Sequence, residues 1–144
     1  MAGAPVKWGS MPSDLDLQAM LADGAAQMRD EAGVRQYAPQ VEEMAARLDH
    51  KLYQAVAHRA WGVAHTLAGE YPEAAHRMEK GLRLFRALKT RWQIGRTLYE
   101  LGELALARGD NAKARDYFSG ALSDFEKMRA APNAAQTRSR LEQM

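Results

Sequence analysis

The sequence predicts an all-α protein, a solenoid of antiparallel helix pairs with about seven helices. Three observations carry that prediction. After Pro12 the chain consists almost wholly of the helix formers Ala, Leu, Arg, Glu, Gln, Met and Lys. Alternating β-branched and aromatic runs, the mark of strands, are missing. Helix breakers stand at intervals of helical length: Pro12, Gly33, Pro39, Gly69 with Pro72, Gly109 and Pro132.

Cutting at the breakers leaves helices over 13–31, 36–50, 53–68, 72–89, 93–108, 111–129 and 132–143. The joints are a few residues long, which forces consecutive helices to run antiparallel. They group as pairs over 13–50, 53–89 and 93–129, followed by a capping helix at 132–143. Ser13 with Asp16 resembles a capping box opening the first helix. Pro39 would kink a helix starting at Gly33, so the second helix is started later, at residue 36. Gly69 and Gly109 suit the left-handed residue that ends a helix, while Pro72 and Pro132 suit a first helical turn. Asp110 or Asn111 caps the sixth helix by accepting an orphan N–H. The last helix, with Gln136, Arg138, Arg140, Glu142 and Gln143, supplies the polar end that a stacked array needs.

A chain of 144 residues has room for one core. With no cysteine it has no disulfide framework, thiolate metal site or cysteine nucleophile. Twenty Lys and Arg against 18 Asp and Glu leave +2, far from the basic load of a nucleic-acid coat. The charge is polarised, however: residues 1–50 hold four basic and eight acidic side chains, and residues 51–100 hold nine and four. Solvated faces explain that, as does an acidic partner for the middle segment or head-to-tail association of copies. No stretch approaches the roughly 18 apolar residues of a membrane span, and the expected location is cytoplasmic. Gly9-Ser10-Met11 has the look of a cloning junction before a second start methionine. Residues 1–12 are therefore read as a flexible arm, vector-derived or native.

Shifting the chain against itself by 40 residues superposes one helix pair on the next. Gly62 then meets Gly102, Gly69 meets Gly109, Ala74 meets Ala114, Leu82 meets Leu122, and Phe85 meets Phe125. Met78/Phe118 and Gly81/Ala121 are conservative matches. Gly62…Gly69-Glu-Tyr71…Ala74…Met78…Gly81, echoed by Gly102…Gly109-Asp-Asn111…Ala114…Phe118…Ala121, resembles the tetratricopeptide repeat family. The likeness is clearest over 53–129. Its period is longer than the family's common form of about 34 residues. The family's closing proline is absent, and His58 and His65 stand where aromatics are usual. The resemblance implies a TPR-like superhelix whose first-type helices line a concave groove. Two apolar stripes should be buried: Ala74, Met78, Gly81, Leu82, Phe85 and Leu88, then Ile94, Leu98, Leu101, Gly102 and Ala105.

Chemistry is sparse. His58 and His65 are seven apart, about 10.5 Å along a helix, too far to share a metal, and they read as half-buried packing residues. His50 and His76 read as surface, as do the carboxylate pairs Asp14/Asp16, Asp30/Glu31 and Glu42/Glu43. Trp61 and Trp92 fall in apolar stripes and read as core. The basic run Arg77, Lys80, Arg83, Arg86, Lys89 and Arg91 reads as an outer, solvated face, which disfavours a nucleic-acid partner. No Gly-rich phosphate loop, nucleophile elbow or His-Glu-x-x-His pattern occurs, so the expectation is a non-enzyme with no cofactor and no metal.

What remains is a binding surface. Val56, Arg59, Val63 and Thr66, then Arg96, Tyr99, Glu103 and Leu106, lie off the buried stripe of the first-type helices. They match the ligand-facing positions that the family resemblance implies. Apolar anchors with an aromatic and two arginines suit a peptide or helix of a partner protein, with Arg59 and Arg96 meeting acidic side chains. The asparagines of the family's clamp for chaperone C-terminal carboxylates are absent from these helices. The competing expectation is a structural, self-associating fragment of a larger regulatory protein, a homo-oligomer through its terminal helices.

Overall fold

In a computed structural model describing residues 14–144, six tight joints recur every 20 residues. Each is centred on a residue with positive φ: Arg29, Asp49, Gly69, Lys89, Gly109 and Arg129. The following N–H closes each turn on a carbonyl five residues back. Asp30 bonds Ala25 at 2.9 Å, Glu70 bonds His65 at 2.8 Å, and Ala130 bonds Phe125 at 2.8 Å. Such turns satisfy the orphan carbonyls of a helix end and reverse the chain within three residues.

The joints separate α1 (Asp14–Gln27), α2 (Glu31–Arg47), α3 (Lys51–Leu67), α4 (Tyr71–Ala87), α5 (Arg91–Ala107), α6 (Asn111–Lys127) and α7 (Ala131–Gln143). No strand occurs among the described residues. Consecutive helices pack on each other, and α1 also packs on α3 and α3 on α5. The result is an all-α solenoid of antiparallel helix pairs, with the odd-numbered helices sharing the inner side.

Gly69 and Gly109 end their helices at φ 78° and 79°, and Pro72 and Pro132 sit in first turns, as the sequence predicts. Of the two capping candidates, Asp110 does the work, accepting from Lys113 N–H at 3.1 Å. The first joint is a correction. The chain turns at Arg29, and α2 begins at Glu31, not at residue 36. Asp30 caps it by accepting from Gly33 N–H at 3.0 Å, so Gly33 belongs to the first turn of the helix and does not break it. Pro39 lies inside α2 on the exposed side, where the carbonyl it leaves unbonded faces water. The Ser13 cap and the reading of residues 1–12 lie outside the described residues.

The repeat has a direct steric meaning. A Cβ on Gly62 would lie 2.7 Å from Met78, and one on Gly102 would lie 2.7 Å from the Phe118 ring. These are the same contact 40 residues apart: a bare backbone in the inner helix admits a bulky side chain from its outer partner. Met78, Phe85, Phe118 and Phe125 are all buried there. From the anticipated stripes, Ala74, Met78, Gly81, Leu82, Phe85, Leu101, Gly102 and Ala105 are buried, with Ile94 and Leu98 packed partly against them. Leu88 is not: as the last residue before the Lys89 turn it is 43% exposed.

Candidate functional site

The inner side is built from facing residues of α1, α3, α5 and α7. The sequence expectation leaves eight of its residues open, yet five of them are buried: Val56, Arg59, Val63, Arg96 and Tyr99. Thr66, Glu103 and Leu106 keep partial exposure. Apolar packing buries Val56, Val63 and Tyr99, and for the two arginines the reason is electrostatic. Asp23 of α1 takes the place assigned to a partner's carboxylate. Arg96 donates to both its oxygens at 2.8–2.9 Å, and Arg59 donates to Oδ1 at 3.3 Å. Arg59 also donates to Gln93 O and Thr97 Oγ1, each at 3.4 Å, and its guanidinium lies over the Phe85 ring.

A second cluster follows one turn along. Arg29, from the first joint, donates to both oxygens of Glu100 at 2.8 Å. Arg140 of α7 closes on Glu103 with two bonds at 2.7 and 2.9 Å. Burial alone would raise the Asp23 carboxyl, but Arg59 and Arg96, with bonds from Arg96 and Gln27, hold it below the usual carboxylate range. For Glu100 burial prevails over Arg29 and Arg96, and its carboxyl is raised. Burial, reinforced by Glu103, pushes the Tyr99 phenol up to about 12. Asp23 and Arg29 lie in the acidic N-terminal segment, 73 and 71 residues from their partners on α5. Only the charge polarity of the chain hinted at such pairing.

What stays open lies where the inner helices end. A hollow of about 330 Å³ is lined by Val63, Thr66 and Leu67 of α3, Glu100, Glu103 and Ala107 of α5, and Arg29. Three of the eight anticipated residues, Val63, Thr66 and Glu103, line it together. Its floor is apolar and its rim is the Arg29–Glu100–Glu103 cluster. Val56 packs instead with Ala55 and Phe85, and Tyr99 packs edge-on against Phe118 with ring centroids 5.3 Å apart.

Set against protein-family models, curated proteins and solved structures, the chain matches none. The likeness to tetratricopeptide repeats rests on the residues quoted above.

Other sequence readings divide. His58 is half-buried against Arg77, and His65 is half-buried and bonded to Glu70 at 2.7 Å. His76 is exposed. His50 is not plain surface: it caps α3, its Nδ1 accepting from Tyr53 N–H, with the two rings stacked 4.3 Å apart. The carboxylates are likewise engaged, Asp16 by Tyr53, Asp30 as a cap and Glu42 by Arg77. Trp61 packs partly into the core, but Trp92 is 39% exposed at the start of α5, beneath the Arg96 guanidinium. Arg83, Arg86, Lys89 and Arg91 lie exposed, as expected of an outer basic face. Among the described residues no three His, Asp or Glu gather in a metal-holding arrangement, and no helix is long and apolar enough to cross a membrane.

Proposed function

We propose that this protein is a non-enzymatic interaction module that takes a peptide or helical segment of a partner protein on its inner side. The observation that supports this reading is the hollow between the ends of α3 and α5. Its volume of about 330 Å³ is enough for one or two side chains, and Val63, Leu67 and Ala107 offer them an apolar floor. Paired charges already satisfied within the chain frame that floor, so a ligand gains by burying apolar area without stripping an unpaired ion. Arg59 and Arg96 are withdrawn from the partner-facing set, because both are buried and bonded to Asp23. The anchor of the partner is therefore an apolar side chain, with Thr66 and the Glu103 carboxylate offering polar contacts beside it.

Selection of a random peptide library against the full chain tests this reading. Enriched peptides should share an apolar residue and bind with micromolar Kd. Ala107→Trp, at an exposed position, should plug the hollow and weaken them at least tenfold, whereas Arg83→Glu on the outer face should not. Equal binding to the plugged variant would remove the hollow from the function.

A further inference from the structure

The two ends of the array differ in chemistry. At the C-terminal end α7 turns Gln136, Arg138, Ser139, Glu142 and Gln143 outward. At the other end α1 exposes Leu17, Met20 and Leu21 by 51, 71 and 37%, and Met28, the residue after it, is exposed by 79%. With Gly24 these residues form a single stripe down the helix, at spacings of three, four, seven and eleven from Leu17.

The repeat identifies this stripe. Forty residues on, the positions of Leu17, Met20 and Gly24 are Ala57, Ala60 and Ala64 of α3, all buried, and that of Leu21 is Trp61, half-buried. Eighty residues on, Leu17, Met20, Leu21 and Gly24 become Thr97, Glu100, Leu101 and Leu104 of α5, all buried. Leu17, Met20 and Gly24, with Leu21 at the edge, thus form the stacking face of the unit, the surface that the preceding helix pair covers inside the array, whereas Met28, whose counterparts Ala68 and Arg108 are exposed, lies beyond it. Three of the four copies on α3 are alanine, which fits a close helix pair. The copy on α1 carries long, flexible side chains around a notch. A Cβ on Gly24 would meet nothing within 4 Å, so the notch is open.

We propose that this face is covered by the same face of a second copy, two α1 helices crossing antiparallel about a two-fold axis near Met20 and Leu21. Reversing the helix about that point lays Leu17 of each copy into the Gly24 notch of the other and Met20 against Leu21. The stripe is self-complementary in this register, as an isologous contact requires. It also sets the two Asp14 carboxylates at opposite ends of the contact, where a parallel crossing would bring them together. A head-to-tail chain is disfavoured, because the exposed side of α7 is mostly polar and its exposed apolar residues, Ala131, Pro132 and Ala135, are small. This proposal stands apart from the peptide-binding reading, since the hollow and the stripe share no residue.

Sedimentation equilibrium of the full chain tests it, with three variants at exposed or open positions. The parent chain should dimerise. Gly24→Leu fills the notch and should weaken the dimer at least tenfold, although it adds apolar surface. Leu17→Gly alone should weaken it similarly. Combining Leu17→Gly with Gly24→Leu swaps knob and notch and should restore association to within a few-fold. A parent chain that stays monomeric at every concentration would overturn the proposal, whether residues 1–13 or a helix pair of another protein covers the face. Tighter association of Gly24→Leu would overturn it too, by showing unspecific apolar contact.

Discussion

His58 shows how one side chain is tuned by its neighbours. Burial first, and then the Arg77 guanidinium 3.2 Å from its Nδ1, push the imidazole down to about 4; Lys80 and His76 add to the shift and Glu42 opposes it. The unfolded chain binds a proton there near the ordinary value of 6.5, so between 6.5 and 4 unfolding takes up a proton. Stability is full above that window and falls as the pH drops through it. His58→Gln keeps an acceptor for Arg77 and cannot titrate. Between pH 7.5 and 4.5 it should lose about 1–2 kcal/mol less stability than the parent, allowing for solvent around a half-buried ring. Urea midpoints at the two pH values check this; parallel losses would mean that His58 does not titrate in that window. At this scale the sequence spoke clearly for Gly62 and Gly102, whose bareness and 40-residue spacing have one cause, the entry of Met78 and Phe118. It could not speak for Arg59 and Arg96. A charged side chain is normally solvated, and the carboxylate that buries them lies 36 and 73 residues away.

Among the elements, the joints decided which boundaries could be read. Gly69 and Gly109 announced theirs, because glycine adopts positive φ without steric cost. Arg29, Asp49, Lys89 and Arg129 adopt φ of 52–59° against their own preference and carry no local mark. No glycine announces their joints, and of the four only the last, at Arg129, has a proline close behind it, Pro132. Pro39 misled in the opposite sense, since a breaker on a wet face is tolerated when both ends of the helix are well anchored. The chain still forgoes a hydrogen bond there. Pro39→Ala should raise stability by about 1–3 kcal/mol and leave the helical circular dichroism unchanged or slightly stronger. A loss of stability would mean that proline fixes the path of α2 into its joint with α3.

For the whole molecule, the ion pairs from the first helix pair to the third should raise the cooperativity of unfolding. In an ordinary stacked array each unit feels only its neighbours, and ends fray independently. Here Asp23 with Arg96 and Arg29 with Glu100 skip the middle pair. Asp23→Ala leaves Arg59, 1% exposed, without its carboxylate and should cost about 3 kcal/mol. Hydrogen exchange should then quicken in α5 as well as in α1; acceleration confined to α1 and α2 would show that the bridge carries no coupling. The even spacing of the joints has a consequence for how such a chain can grow. Odd helices lie within and even ones without, so splicing in a single helix of 20 residues would exchange concave and convex surfaces for everything downstream. Only increments of two helices preserve the handed order, and any lengthened or shortened descendant that still folds must count in forties.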